Sequence, residues 1–339
     1  MKKDERILLA HGGGGRLTHE LVRETFLPAF ANSALATLSD SAILAELPPG
    51  RPALTTDAFV VDPPVFRGGD LGYLSVCGTV NDLAVAGAQP LYLTWALILE
   101  EGLERDLLAT FVAGAARGAR EAGVSIVAGD TKVVPRGKGD RAFVVTSGLG
   151  VVPPGRDLGD HRIVAGDAVL VSGPIGDHGA TVMAARHGLS SDTLASDCAP
   201  LAGLAAALLA AGVEVHAMHD PTRGGVATTC AETAARAGVR IVLDQAAVSV
   251  RPEVMTVCEV LGLDPLYVAC EGRLLAWVGG GDAVKAVAAL RAHPLGRDAA
   301  VIGRVEHLRP GGAPVVLATR YGTERPLDML AGAELPRIC

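Results

Sequence analysis

The distribution of apolar residues in the first half of this 339-residue chain predicts a mixed α/β unit. Short apolar runs rich in Val, Leu and Ile predict strands, and apolar residues that recur every three to four positions predict helices. The predicted strands are 53–61, 91–99, 125–134 and 142–152, and the predicted helices are 17–30, 71–86 and 104–122. Because strands and helices follow one another along the chain, we expect helices packed on a sheet.

The second half repeats this mixture after a turn-rich segment that begins at Pro153 and ends near Gly166. The strands predicted there are 167–171, 240–243, 273–278, 300–305 and 314–317, and the helices are 199–211, 223–237, 252–261 and 282–292. A chain of 339 residues exceeds the usual size of one hydrophobic core. We therefore predict two α/β domains, 1–152 and 153–318, followed by a flexible tail, 319–339.

Composition and charge narrow the class of protein. Hydrophobic residues make up 49% of the chain and aromatic residues 4%, with 42 glycines, which favours an α/β or α+β enzyme with Ala-, Val- and Leu-rich helices. The net charge is −7, and no cluster of Lys and Arg is interleaved with aromatic residues, so nucleic-acid binding is not expected. We also expect no membrane span and no signal peptide, because the apolar runs are too short.

The cysteines show neither zinc-site spacing nor a disulfide framework. They stand at positions 77, 198, 230, 258, 270 and 339. We therefore expect a cytoplasmic protein with reduced thiols. Cys339, the last residue, is badly placed to support a core. The segment that precedes it contains Pro326 and Pro336 and, if extended, reaches about 70 Å at about 3.3 Å per residue. A thiolate on such an arm can carry an acyl-type group between two sites, although a chance cysteine on a frayed end is the alternative.

Three aspartates stand in apolar surroundings, and together they favour a Mg²⁺ site for a phosphate-bearing substrate. They are Asp57, Asp82 and Asp130. A buried carboxylate without a partner is costly, and hard oxygen ligands from separate elements are typical of Mg²⁺ sites. The alternative is that each aspartate caps a helix or pairs with a nearby base. Lys132 follows closely after Asp130 and can neutralise phosphate charge, although a surface lysine is the commoner outcome.

Two glycine-rich turns are candidate anion sites. Gly12, Gly13, Gly14 and Gly15 stand between a short apolar run and a predicted helix, where backbone N–H groups can surround phosphates. This loop lacks the ending of a P-loop and the spacing of a Rossmann fingerprint, so a flexible linker is equally compatible with it. A second turn, 172–179, follows a predicted strand and is a weaker candidate of the same kind.

Two further candidates lie in the second half. Asp220 and Pro221 are predicted to begin a helix as its N-cap and first residue, and Arg223 follows them. Gly224 and Gly225 in its first turns indicate close packing against the backbone. Glu271 lies before a predicted strand, where it is either a catalytic base or part of a surface turn.

Taken in order, these motifs closely resemble the HypE family of [NiFe]-hydrogenase maturation factors, within the superfamily of aminoimidazole ribonucleotide synthetase and selenophosphate synthetase. The resemblance covers the whole chain. The motifs that carry it are 11–15, 56–59, 81–83, 128–133, 172–179, 220–225, 271–273 and 336–339. The Asp-Pro-Thr-Arg-Gly-Gly run and the Pro-Arg-Ile-Cys end are specific to this branch, whereas the aspartates are shared across the superfamily.

The resemblance implies a PurM-like fold whose N-terminal domain dimerises through its sheet, with ATP and Mg²⁺ in a cleft near the dimer interface. It implies that Asp57, Asp82 and Asp130 hold the metal. The nucleotide contacts it implies are Gly12, Gly13, Gly14, Gly15, Asp57, Asn81, Asp82, Asp130, Thr131, Lys132, Asp220 and Arg223. The implied catalytic residues are Cys339 as carrier, Glu271 as base and Lys132 as the cation that offsets charge in the transition state.

The implied reaction uses a HypF-type carbamoyltransferase to load a carbamoyl group onto Cys339. ATP then drives dehydration to a thiocyanate, whose cyano group passes through a HypC–HypD complex to iron. Two alternatives remain open. One is a small-molecule kinase or synthetase of the same superfamily, resembling selenophosphate synthetase, and the other is a non-catalytic carrier that uses ATP only to set its shape.

Overall fold

The computed structural model describes residues 5–189, 191–330, 332 and 337–339. In the first half the helices are α1 (Arg16–Leu21), α2 (Leu27–Phe30), α3 (Leu71–Val85) and α4 (Arg105–Ala122). The strands of that half are β1 (Arg51–Phe59), β2 (Val65–Phe66), β3 (Gly69–Asp70), β4 (Gln89–Glu100), β5 (Ser125–Val134) and β6 (Ala142–Val152). A π-helical turn, Val22–Phe26, joins α1 to α2.

The second half continues this mixture. Its helices are α5 (Asp177–Arg186), α6 (Ala202–Ala210), α7 (Gly225–Ala237), α8 (Pro252–Leu261) and α9 (Ala283–Arg291). Its strands are β7 (Ala168–Val171), β8 (Val215–His219), β9 (Val239–Asp244), β10 (Leu275–Val278), β11 (Ala300–His307), β12 (Val315–Ala318) and β13 (Glu324–Pro326). Among the described residues, no helix is both long and apolar enough to cross a bilayer.

The first sheet has four strands in the order β1-β6-β4-β5, and only its β4–β5 pair is parallel. Helices α3 and α4 pack on one face of it. On the other face, apolar side chains remain exposed, with Leu54 at 78% and both Ile98 and Val145 at 37%. An exposed apolar face of this kind is typical of a surface that binds another protein.

Helix α3 lies between the two halves, and nearly every side chain along it is buried. It packs on the first sheet and on α4, and it also contacts α6 and β8 of the second half. Its N-terminus is capped by Asp70, whose Oδ1 accepts hydrogen bonds from the backbone N–H groups of Gly72 and Tyr73. Gly72 allows α4 to approach closely, since a Cβ there would lie 1.8 Å from the Phe111 carbonyl oxygen.

The second sheet has seven strands in the order β13-β12-β9-β11-β7-β10-β8. Only the β12–β9 pair is parallel among its ladders. Its central strands are buried on both sides, and Trp277 on β10 is completely buried. The sheet therefore carries the core of the second half and directs the end of β8 and the turn before β10 toward α3.

The predicted α/β organisation is confirmed, and every helix and strand that the apolar pattern predicted is present, most within two residues of its predicted ends. Helix α5, strands β8 and β13 and the short β2–β3 hairpin were missed. Two of the missed strands depend on tertiary context, since β8 has only five residues and β13 has only three, all exposed.

The predicted tail, 319–339, is partly attached to the second domain. Its residues 324–326 form β13, which pairs with β12, and Leu327 is completely buried. Its last residues, 337–339, lie antiparallel to residues 60–62, where the N–H groups of Val60 and Asp62 donate to the carbonyl oxygens of Cys339 and Arg337. Pro336 and the three residues before it lie outside the described residues.

Candidate active site

Cys339 lies in a pocket that is lined by four acidic side chains. The pocket lies at the junction of the two halves and has a cavity volume of about 40 Å³. Its lining residues are Asp57, Ala58, Phe59, Gly78, Asp82, Asp220, Thr222, Arg223, Glu271 and Cys339. The terminal thiol is half-buried there and contacts the core of the first half, so the end of the chain is docked in this structure.

Asp57 and Asp82 meet because α3 crosses β1 near the end of that strand. The Thr55 hydroxyl donates to Oδ2 of Asp82 at 2.7 Å, and the Thr79 hydroxyl donates to Oδ2 of Asp57 at 3.2 Å. Each carboxylate is therefore oriented by a threonine from the other element, which positions the pair before any ligand arrives.

Asp220 and Arg223 reach the pocket from the loop between β8 and α7. The prediction that Asp220 caps the helix is wrong, because α7 begins four residues later than expected, with Gly224 as its N-cap. Gly224 and Gly225 have φ of +75° and +60°, which other residues rarely adopt. A Cβ at Gly225 would lie 2.6 Å from the Leu266 carbonyl oxygen, so this position requires glycine. Because the helix starts only at Gly225, Asp220 remains in the loop and lines the pocket.

Glu271 lies in a buried turn rather than in the surface turn that was its alternative reading. Its side chain is 1% exposed, and its Oε1 has no hydrogen-bond partner among the described residues. Its backbone N–H donates to Oδ1 of Asp197 at 3.2 Å. The turn passes so close to Asp197 that a Cβ on Gly272 would meet the Asp197 carbonyl oxygen at 1.7 Å. An unpaired buried carboxyl beside Cys339 is a strong candidate for proton transfer.

The crowding of acidic groups raises several pKa values in the pocket. Burial raises the pKa of Asp220 to about 7, and the nearby Asp82 and Asp57 add to the rise. Burial and the Asp57 carboxylate raise the pKa of Asp82 to about 6. Burial, with Asp220 and Asp197 nearby, raises the pKa of Glu271 well above its ordinary value. The pocket therefore has an excess of negative charge that a cation or a proton stabilises.

The thiol of Cys339 responds to the same charges. Burial raises its pKa to about 12, the Glu271 carboxylate adds to the rise, and the Arg223 guanidinium opposes it. At neutral pH the docked sulfur is therefore a protonated thiol, which is a poor nucleophile. The pocket is consequently suited to transforming a group already on the sulfur, and less suited to loading it.

Asn81 joins the two halves instead of facing the pocket. It is completely buried, its Nδ2 donates to the carbonyl oxygens of Ala199 and Glu271 at 3.2 Å each, and its Oδ1 accepts from the Leu201 N–H at 2.7 Å. Since these bonds occupy the amide, the sequence-based assignment of Asn81 to nucleotide contact does not match its position here. It holds Glu271 at the end of α3.

The remaining predicted nucleotide contacts form a second group on β5. Gly12 packs directly on that strand, because a Cβ there would lie 2.3 Å from the Val133 backbone nitrogen, and Gly14 has a φ of +77°. The Lys132 ammonium lies 2.9 Å from Oδ1 of Asp130, and the Thr131 N–H donates to the same oxygen at 2.8 Å. The hydrogen bond from Lys132 holds the pKa of Asp130 below its ordinary value. Gly13, Gly15, Asp130 and Lys132 are exposed.

These two groups do not converge within one chain. Asp57 is in register with Thr146, Trp95 and Gly129 across the sheet, whereas Asp130 is in register with Ala96, Val145 and Ala58. Asp130 therefore projects from the opposite, apolar face, about 14 Å away across three strand spacings. Within the described part of the chain, no three His, Cys, Asp or Glu residues are placed to hold a metal ion. The predicted three-aspartate site is therefore not formed by a single chain.

The glycine-rich turn 172–179 also differs from its predicted role as an anion loop. Asp177 and Asp197 surround Arg273 there, with nitrogen-to-oxygen distances of 3.1 and 3.5 Å. His178, in the same turn, contacts the Ile338 carbonyl oxygen at 2.9 Å. The sequence analysis missed His178 and Arg186. The signal for His178 was confined to the turn motif, which does not reveal a contact across 160 residues, and Arg186 lies outside the motif at the end of α5.

Comparison with known proteins identifies both halves. Residues 39–152 match the N-terminal domain of AIR synthase related proteins, and residues 164–312 match the C-terminal domain. The chain is similar to "Carbamoyl dehydratase HypE" of Rhodobacter capsulatus, with 50% identity over 99% of each chain.

Two solved structures extend this likeness. One is HypE in complex with ATP, with a TM-score of 0.94 and 44% identity over 98% of this chain and 99% of that one. The other is a HypE–HypF complex, with a TM-score of 0.79 and 43% identity over 91% of this chain and 99% of that one. The chain thus belongs to the carbamoyl dehydratase HypE family of hydrogenase maturation proteins.

Proposed function

We propose that the chain dehydrates an S-carbamoyl group on its own Cys339 to a thiocyanate and consumes ATP in doing so. The observation that carries the proposal is the docking of Cys339 beside four acidic side chains, one of which is the buried Glu271, whose Oε1 has no hydrogen-bond partner in the described part of the chain. The high pKa of the docked thiol agrees with a pocket that acts on a loaded sulfur. The product is the source of the cyanide ligand for the iron of [NiFe]-hydrogenase.

The reaction balances as S-carbamoyl plus ATP giving thiocyanate, ADP and phosphate. The carboxamide oxygen attacks the γ-phosphorus, ADP leaves, and one N–H proton is lost as the oxygen becomes a phosphate ester. Departure of that phosphate with loss of the second N–H proton forms the C≡N bond. Glu271 accepts a nitrogen proton, because it lines the pocket that holds the sulfur and its Oε1 has no hydrogen-bond partner among the described residues.

The residues of the pocket fit a bound Mg²⁺. Asp57 and Asp82 form a pair whose mutual repulsion is relieved by a cation, and Mg²⁺ is commonly bound by one or two carboxylates plus substrate phosphates. When bound, the ion offsets charge on the transferring phosphoryl group. Asp220 and Arg223 border the same space, where Arg223 supplies the positive charge that offsets phosphate.

A homodimer completes this site in our proposal. Asp130 and Lys132 project from the exposed apolar face of the first sheet, on which a second copy would pack. With a two-fold arrangement, the β5 group of one copy and the Cys339 pocket of the other contribute to one nucleotide site. Gly12, Gly13, Gly14 and Gly15 then close over the triphosphate, with Thr131 beside them, and Lys132 stabilises charge in the transition state.

The proposed partners follow from the chemistry of the carried group. A HypF-type carbamoyltransferase loads Cys339, in line with the complex formed by a similar protein. A HypC–HypD complex receives the cyano group and delivers it to iron. We place the reaction in the cytoplasm. The domains of the proposal are 1–152 and 153–318, followed by the segment 319–339. The end of this last segment leaves its docked position during the reaction cycle.

Two other functions are less well supported. A kinase or synthetase acting on a free small molecule leaves no role for a thiol docked among the catalytic carboxyls. A non-catalytic carrier leaves no role for the unpaired Oε1 of Glu271. Phosphate release that depends on S-carbamoylation of Cys339 separates the proposed enzyme from both.

Heterodimers of two inactive variants test the shared site. Asp82→Asn and Asp130→Asn are each expected to lower phosphate release from the S-carbamoylated homodimer by about 10²-fold or more. In a heterodimer purified through two affinity tags, one site has both native aspartates and the other has neither. We expect about half of the wild-type rate to return.

The exposed Asp106→Asn on α4 serves as a control that keeps full activity. Heterodimers as inactive as the parent homodimers would contradict the shared site and assign all nucleotide contacts to a single chain. Phosphate release from an unloaded chain with a free small molecule would instead support the kinase or synthetase.

A further inference from the structure

The docked end of the chain is held by its backbone. Ile338 is 3% exposed and fills a site in the first core, while its carbonyl oxygen lies 2.9 Å from Nε2 of His178. The Arg186 guanidinium donates to the Arg337 carbonyl oxygen at 2.8 Å and to the Asp62 carbonyl oxygen at 2.6 Å. None of these groups lines the pocket that surrounds Cys339.

The hydrogen bonds around His178 fix its tautomer. The Ile338 carbonyl oxygen can only accept, so Nε2 of His178, 2.9 Å away, carries the ring hydrogen and donates it. In the neutral ring Nδ1 is then the acceptor, and it accepts from the Ser196 hydroxyl at 2.8 Å, while Oγ of Ser196 accepts from the Cys198 N–H at 3.0 Å. The ring is fully buried, and Phe66 packs edge-on against it at 5.3 Å between ring centroids.

We propose that His178 is a positioning residue that latches residues 337–339 in the docked state, and that Cys339 must leave this latch to be loaded. The inference rests on the proposed function for the loading step, but the latch itself is a property of the chain alone. Ser196 supports the donating tautomer through its hydrogen bond to Nδ1, and Ile338 supplies the apolar anchor. The latch thereby sets the fraction of chains whose thiol is available outside the pocket.

Alkylation of the full-length chain by iodoacetamide, without nucleotide or partner, tests the latch. The variant His178→Phe keeps a ring against Phe66 but removes the donor to Ile338, and we expect Cys339 to react about fivefold faster, as for the loss of one hydrogen bond. His178→Gln keeps an N–H near the position of Nε2 and should react at close to the wild-type rate. Sequencing of the C-terminal peptide locates the modified thiol.

Two further variants keep this test decisive. Ile338→Ala removes the anchor without changing the buried turn around His178, and it should accelerate alkylation in the same direction. His187→Phe, at an exposed histidine just after α5, should leave the rate unchanged. Equal rates for wild type, His178→Phe and Ile338→Ala would overturn the latch.

Loading by the carbamoyltransferase gives a readout that a merely structural role would not produce. If only the undocked chain is a substrate, the apparent KM of the transferase for His178→Phe should fall by up to fivefold with kcat unchanged. A raised KM together with slower alkylation would contradict the latch. Faster alkylation in a chain that is never carbamoylated would leave the latch standing and remove the proposed function.

Discussion

The variant Cys339→Ala is expected to form no thiocyanate, while its fold and its affinity for ATP remain those of the wild-type chain. The sulfur carries the carbamoyl group, and no other cysteine lines the pocket among the described residues. The side chain is half-buried at the end of the chain, so its loss removes little packing. Intact-protein mass spectrometry measures the product, and calorimetry measures nucleotide binding.

Cys258→Ala is the matched control, because Cys258 is buried on α8 outside the pocket. That variant should form product at the wild-type level, with some loss of thermal stability from the cavity that it leaves. Product formation by Cys339→Ala would contradict the carrier role of the terminal thiol.

Glu271→Gln is expected to slow dehydration of the loaded chain by about 10²- to 10⁴-fold, the range that general bases contribute. The substitution keeps the shape of the buried side chain but removes the oxygen that accepts a proton. Loading of Cys339 should continue, so that the S-carbamoyl form accumulates. Single-turnover phosphate release, with mass spectrometry of the loaded chain, separates the two steps.

The pH dependence of Glu271 gives a second readout. A base acts in its deprotonated form, and burial raises the pKa of this carboxyl, so the rate should rise with pH through a pKa above the ordinary value of glutamate. Glu271→Gln should lose that limb of the profile, whereas Glu253→Gln, at the start of α8 and outside the pocket, should keep it. An unchanged rate in Glu271→Gln would assign the base to another group.

The apolar pattern predicted the secondary structure well because most of these helices and strands are long. Helix α4 and strand β5 carry regular apolar periods whose signal is local in sequence. Strand β8 was missed because it has only five residues and is buried by neighbours that are distant in sequence. The helix start at Asp220 was misplaced since local capping signals do not reveal that residues 266–268 pack against Gly225.

The candidate site was predicted less completely, for reasons of geometry. Residue types pointed to Asp57, Asp82 and Glu271, which do line one pocket. The separation of Asp130 from that pocket depends on strand order, which the sequence does not contain. Asn81 was assigned to nucleotide on the strength of its motif, but its amide is bonded to the backbone of the second half. His178 contacts the backbone carbonyl oxygen of Ile338, and a contact with the backbone of a distant residue leaves no pattern in the sequence.

The last residues are docked in the structure, which the sequence did not predict. The sequence favoured an extended arm, and residues 337–339 are docked by hydrogen bonds to residues 60–62, His178 and Arg186. The two descriptions are compatible if docking and release alternate, because one sulfur has to visit a transferase, the pocket and an acceptor.

Intact-protein mass spectrometry of the loaded chain is the most direct measurement. The chain is first incubated with its carbamoyltransferase, carbamoyl phosphate and ATP, and it is then transferred to fresh ATP with Mg²⁺. We predict that Cys339 gains one carbamoyl group and then loses the mass of one water only when ATP is present. A carbamoyl group that persists unchanged while ATP is bound or hydrolysed would contradict the dehydratase account.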